Sequence, residues 1–220
     1  MYNLTNGQFA ATFIHIPKTG GTAVTDIIKK NFQTKKINVF SGNDMRHVPI
    51  KFIRDRIVGE PFCFVRHPLK WYESVYKMID DYADGGNVTD FKSRRNIGFN
   101  PIGIAAYFYA PTFSEWIENI LKFAPDYYVE VIRYFMGNDY DEIKVVGHTE
   151  TLLDDLERIL QRQGLGIGKI TVDRRLGGRQ HKNHIIEWAE GQEDYIMEVN
   201  QDLQRSEHFK HYFETINTNL

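Results

Sequence analysis

Residues 13–32, FIHIPKTGGTAVTDIIKKNF, pass from a β-branched and aromatic run into a helical pattern, with Lys18, Gly20 and Gly21 at the join. The chemistry open to such a join is anion binding. Pro17 ends the strand, and the glycine pair lets the backbone approach a ligand closely. The free amides of the next helix's first turn, together with its dipole, favour negative charge there. Lys18 adds a mobile positive charge. It precedes the glycines, whereas the common nucleotide signature GxxxxGK[ST] places the lysine after them. Taken alone, the loop is also compatible with a plain strand-to-helix turn carrying an exposed lysine.

A second constellation lies in CFVRHPLKWYESVY, residues 63–76. Arg66 follows an apolar run, at the edge where open α/β sheets bind ligands. Ser74 stands eight residues later, two turns into the next helix. An arginine leaving an apolar strand needs a partner, because an unpaired buried charge is costly. A structural carboxylate would serve. So would a second anion on the sheet edge that carries Lys18, with Ser74 donating its hydroxyl to the group that Arg66 grips.

HIPKTGGT and FVRHPLKWYESVY together resemble the two nucleotide-binding motifs of the sulfotransferase family, and VGHTETLLDDLERIL (146–160) is similar to its carbohydrate-type branch. The likeness runs from about residue 12 to 215 and is loose over 82–140. It implies a P-loop-NTPase-like sulfotransferase fold, 3′-phosphoadenosine 5′-phosphosulfate (PAPS) as sulfuryl donor, PAP as product, and no metal. On this resemblance Lys18, Thr19, Gly20, Gly21, Thr22 and Ala23 match the loop that wraps the 5′-phosphosulfate, with Lys18 also catalytic at the leaving phosphate. Arg66 and Ser74 match the pair that holds the 3′-phosphate. The loop DRRLGGRQHKNH (173–184) has the place of a segment closing over the nucleotide, with Arg179 and Lys182 as contacts; a solvated basic loop is the other reading.

The same resemblance supplies a general base. RHVP (46–49) is similar to a His-x-Pro triplet whose histidine removes the acceptor proton, which makes His47 the base. A neutral imidazole suits that work near neutral pH. His15 reads as packing or orienting the loop, and His67 and His148 as further strand-end histidines. Glu60 or Glu73 would be the glutamate base that carbohydrate-type members often use. The acceptor is a sugar or another small hydroxyl compound, for which Arg94, Arg95 and Tyr107, near Lys92, are candidate contacts.

Two rival readings remain. A small nucleotide or nucleoside kinase would need a lysine after the glycines and a magnesium carboxylate at a strand end, where this chain offers His15, Arg66 and His148. A catalytically silent nucleotide- or glycan-binding module is the other. The joint presence of Lys18, His47, Arg66 and Ser74 argues against it.

These residues need elements to position them. Residues 12–16, 36–40, 61–66 and 142–148 read as strands. A helix begins near Thr22, its expected cap, and runs through Val24, Ile27 and Ile28 to Lys29-Lys30. A short amphipathic helix is expected over 50–58, and another from Pro68 carrying Trp71, Tyr72, Val75, Tyr76 and Ile79. Helices follow at 113–123, 127–135, 150–163, 185–203 and 206–215. Strands alternating with helices predict an α/β fold with a central parallel sheet flanked by helices. Residues 1–220 are expected to form a single domain, with a lid or acceptor-site insertion at 82–112 rich in glycine and tyrosine.

Bulk properties narrow the partners. A net charge of −2 argues against a general nucleic-acid binder, so any anion site is a local concentration of Lys and Arg. The single cysteine, Cys63, sits in the apolar run PFCFV and reads as a buried thiol; an all-cysteine metal site within one chain is excluded. The absence of a leader pattern or a long apolar stretch predicts a cytoplasmic protein without a membrane partner. Asn3-Leu4-Thr5 and Asn87-Val88-Thr89 match the glycosylation pattern, which carries little weight without such a leader.

Overall fold

The computed structural model describes residues 1–37, 47–84, 101–138, 140–166, 170 and 183–206. Arg94, Arg95, Arg179 and Lys182 lie outside the described residues, as do most of the expected strand at 36–40 and the helix at 206–215. The described residues fall into two compact units, one within 1–66 and 132–170, the other within 67–131 and 183–206. Among the described residues the helices are α1 (Gly21–Asn31), α2 (Pro68–Asp84), α3 (Pro101–Tyr107), α4 (Phe113–Phe123), α5 (Tyr127–Met136), α6 (Leu152–Arg162), α7 (Gln192–Val199) and α8 (Gln201–Arg205).

The first unit is built on a mixed sheet. Its strands are β1 (Tyr2–Thr5), β2 (Ala10–Ile14), β3 (Gln33–Lys36), β4 (Glu60–Val65) and β5 (Val145–His148), in the order β3-β1-β2-β4-β5. β2, β4 and β5 run parallel, whereas β1 is antiparallel to both β2 and β3. The fold is α/β with helices against a central sheet, as expected, and the sheet is mixed rather than parallel throughout. The cause is local: Asn6-Gly7 reverses the chain between β1 and β2, and the Asn6 carboxamide oxygen accepts from the amides of Gln8 (3.1 Å) and Phe9 (2.9 Å). A hairpin turn of this kind allows only antiparallel pairing.

One face of the sheet makes the core. Leu4, Ala11, Phe13, Phe62, Phe64 and Val145 project from it and meet Val24, Ile27 and Ile28 of α1 and Leu156, Ile159 and Leu160 of α6. Phe13 and Phe62 are register partners with ring centroids 5.3 Å apart. The stretch expected as a helix over 50–58 forms two single 3-10 turns instead, Ile50–Phe52 and Arg54–Arg56. Ile50 and Ile53 are three residues apart and both buried, which matches the three-residue period of that helix.

The second unit packs α2 against α3, α4 and α7. Its core is aromatic: the Trp71 ring lies 5.2 Å from Tyr128, and Tyr76 lies 5.3 Å from Phe113. The polar ends of Trp116 and Tyr76 find partners. Trp116 Nε1 donates to the Ala105 carbonyl at 2.9 Å, and Tyr76 Oη donates to that of Pro111 at 2.7 Å. Thr112 and Glu115 cap the start of α4 reciprocally: the Thr112 hydroxyl accepts from the Glu115 amide and donates to its carboxylate. The helix expected over 185–203 is corrected to α7 and α8. Residues 183–188 run ahead of them as an irregular strap in which exposed and half-buried residues alternate.

Candidate anion-binding site

The loop between β2 and α1 is the centre of the site. Lys18 has a φ of 66° and Gly20 a φ of 77°, both in the left-handed region. Glycine enters that region without cost, whereas lysine does so only under strain. The Thr19 hydroxyl is buried and donates to the Ile16 carbonyl at 2.9 Å, which closes the loop on its own strand. Gly20 is the residue that caps α1, with no side-chain hydrogen bond at the cap. Thr22, expected as that cap, is an exposed residue inside the first turn, because the turn at Gly20 starts the helix earlier. Ala23 follows it, half-buried.

Close packing explains both glycines. A β-carbon at Gly20 would strike Leu152, and one at Gly21 would strike the imidazole of His15. The Thr149 hydroxyl donates to the Val65 carbonyl at 2.8 Å, joining the ends of β5 and β4 beside this loop. Arg66, one residue beyond β4, donates from a terminal guanidinium nitrogen to the Lys18 carbonyl at 3.4 Å. The C-terminal edge of the three parallel strands thus gathers Lys18, Arg66 and the start of α1.

His47 joins this group. Its Nδ1 lies 3.1 Å from the His15 carbonyl oxygen, and the two imidazoles meet edge to face with centroids 4.3 Å apart. A carbonyl only accepts, so Nδ1 carries the proton, and the neutral ring then presents a lone pair at Nε2. The His15 ring also stacks on Phe13, which fits the packing role expected of it.

No family model, curated protein or solved structure matches the chain.

The other expected residues are placed as follows. Ser74 is half-buried on α2 and Tyr107 is exposed at the end of α3, both in the second unit. Glu73 is engaged by Lys70 at 2.9 Å. Glu60 opens β4 while Arg66 follows its end, a separation of about 20 Å at roughly 3.3 Å per residue, which removes Glu60 from the site. His67 is buried where α2 begins, its carbonyl accepting from the Trp71 amide at 2.8 Å.

His148 belongs to a network that sequence reasoning missed. Asp155 of α6 accepts from the His148 amide (2.7 Å), His148 Nδ1 (3.1 Å), the Thr151 hydroxyl (3.0 Å) and Arg158 (2.7 Å). Burial alone would raise the Asp155 carboxyl, but these hydrogen bonds outweigh it and hold the group well below the usual carboxylate range. The network fixes the β5–α6 corner that seats Thr149 and Leu152 against Gly20. Its signal was an aspartate one turn into the helix that follows a strand ending in histidine.

Two cationic side chains, a helix start and a histidine with a defined tautomer make an arrangement that can bind an anion and accept a proton. Among the described residues no group of three or more His, Cys, Asp or Glu is placed to hold a metal ion, and no helix is long and apolar enough to cross a membrane.

Proposed function

We propose that this chain is a sulfotransferase that moves a sulfuryl group from PAPS to a hydroxyl of a sugar or another small acceptor. The supporting observation is the left-handed Lys18–Gly20 loop feeding the start of α1, braced by Arg66 from the neighbouring parallel strand. The eight-residue spacing of Arg66 and Ser74 in the sequence supports a donor with two separated anionic ends.

In this reading Lys18 and the first amides of α1 stabilise charge that builds on the sulfuryl oxygens and the leaving phosphate. His47 takes the acceptor's hydroxyl proton at Nε2 as the acceptor oxygen–sulfur bond forms and the bond to the phosphate oxygen breaks. Arg66 holds the 3′-phosphate. Catalysis is then mostly positioning and electrostatics.

Calorimetric titration with 3′,5′-ADP tests the reading. Binding at tens of micromolar or tighter is expected. Arg66→Ala should weaken it by about tenfold or more. Lys18→Ala should leave affinity within a few-fold and cut turnover by about 10²–10³. Absence of binding, or magnesium-dependent ATP binding in its place, would overturn the assignment and favour the kinase reading.

A further inference from the structure

Inside the second unit, the strap of residues 183–188 is fastened to α2 through one buried side chain. The His184 side chain is 2% exposed, and each ring nitrogen lies 2.8 Å from a carboxylate oxygen, Nδ1 from Asp80 and Nε2 from Asp81. The other oxygen of Asp80 accepts from the Tyr109 hydroxyl at 2.6 Å. A carboxylate only accepts, so both contacts are hydrogen bonds only when the ring carries a proton on each nitrogen. In a neutral ring one nitrogen would turn its lone pair toward a carboxylate oxygen. Attraction would become repulsion in a place from which water is largely excluded.

The downstream end of the strap is held differently. Trp188 meets Phe113 edge-on at 4.6 Å between centroids, and Gln192 Nε2 donates to the Ser114 carbonyl at 3.0 Å. Neither contact depends on a titrating group. Among the described residues, the charged and titratable groups facing His184 are Asp80 and Asp81 of α2 and the Tyr109 phenol beyond α3, while Glu187 of the strap itself is exposed.

We propose that His184 is a proton-dependent anchor. The strap is docked on α2 while the ring holds two protons, and its upstream end is released when one leaves, with the Trp188 end staying in place. Imidazole is the side chain whose ordinary charge change lies nearest neutral pH, which makes pH the variable that works the anchor. The anchor stands independently of the proposed activity.

Hydrogen exchange of the full chain, corrected for intrinsic rates, reads the strap directly at about pH 5.5 and about pH 8.5. Protection of residues 183–188 is expected to fall by about tenfold or more at the higher pH, with α4 unchanged. His184→Gln can donate to one carboxylate only, so its strap should be poorly protected at both pH values. Asp81→Asn gives the neutral ring a donor to accept from, and its strap should stay protected at the higher pH. Equal protection of the wild-type strap at both pH values would overturn the proposal. So would an Asp81→Asn or His184→Gln variant that kept the full wild-type drop.

Discussion

Lys18 holds a backbone conformation that a β-carbon disfavours, at a cost of about 1 kcal/mol. A glycine would make the same turn without strain but could not deliver an ammonium group. Lys18→Gly is therefore expected to be more stable than Lys18→Ala by about 1 kcal/mol in urea unfolding, with both variants equally poor in turnover. Equal stabilities would show that the turn stores no strain. His47 is open to a kinetic test. As the proposed base it would work in its neutral form, so kcat/KM should rise with pH and then level. His47→Gln should lose that rise and about 10²–10⁴ in rate; survival of the rise would place the base elsewhere. Lys18, Gly20, Gly21 and Arg66 could be placed on one edge in advance because each follows a strand, whereas His47 was named only through its resemblance to a His-x-Pro triplet. The early start of α1 at Gly20 was not, because Thr22 offers a hydroxyl and the turn geometry that overrides it leaves little trace in residue type.

The corner between β5 and α6 shows what holds an element in place. Asp155 collects four hydrogen bonds, and bonds to a charged group contribute more than neutral ones. Asp155→Asn keeps the shape but not the charge, and should cost about 2–3 kcal/mol by chemical denaturation. A loss under half a kcal/mol would mean that the carboxylate is not what fastens this corner. Elements with long, regular apolar spacing were readable in advance: α2, α4 and α5 lie where the pattern put them. The failures share a cause. β1 is short, with only Leu4 buried in its middle, so its evidence was the Asn6-Gly7 turn rather than periodicity. Ile50 and Ile53 fit an α-helical and a 3-10 spacing equally well. Ile186 and Trp188 recur every second residue, which does not support a helix, but residues 185–188 run straight into a stretch that is helical and so were joined to it.

At the scale of the molecule, stability should depend on pH from both sides. The Asp155 carboxyl titrates below its ordinary range in the folded chain. Its contribution is present above the unfolded value of about 4 and lost as pH falls through the folded one. Burial pushes the Cys63 thiol and the Tyr72 and Tyr127 phenols upward. Their contribution is present below the ordinary thiol and phenol values, about 8.5 and 10, and lost as pH rises beyond them. The urea midpoint should fall as pH drops below about 4 and as it rises past the ordinary thiol and phenol values. A midpoint still climbing toward about pH 10 would contradict this.

Residues 2–5 lie inside the sheet, with β2 on one side and β3 on the other. Trimming or displacing them would not shorten a loose end. It would expose two raw strand edges, each with a row of amides and carbonyls able to pair with another molecule. Residues 2–5 thus keep two strand edges covered and guard the sheet against self-association.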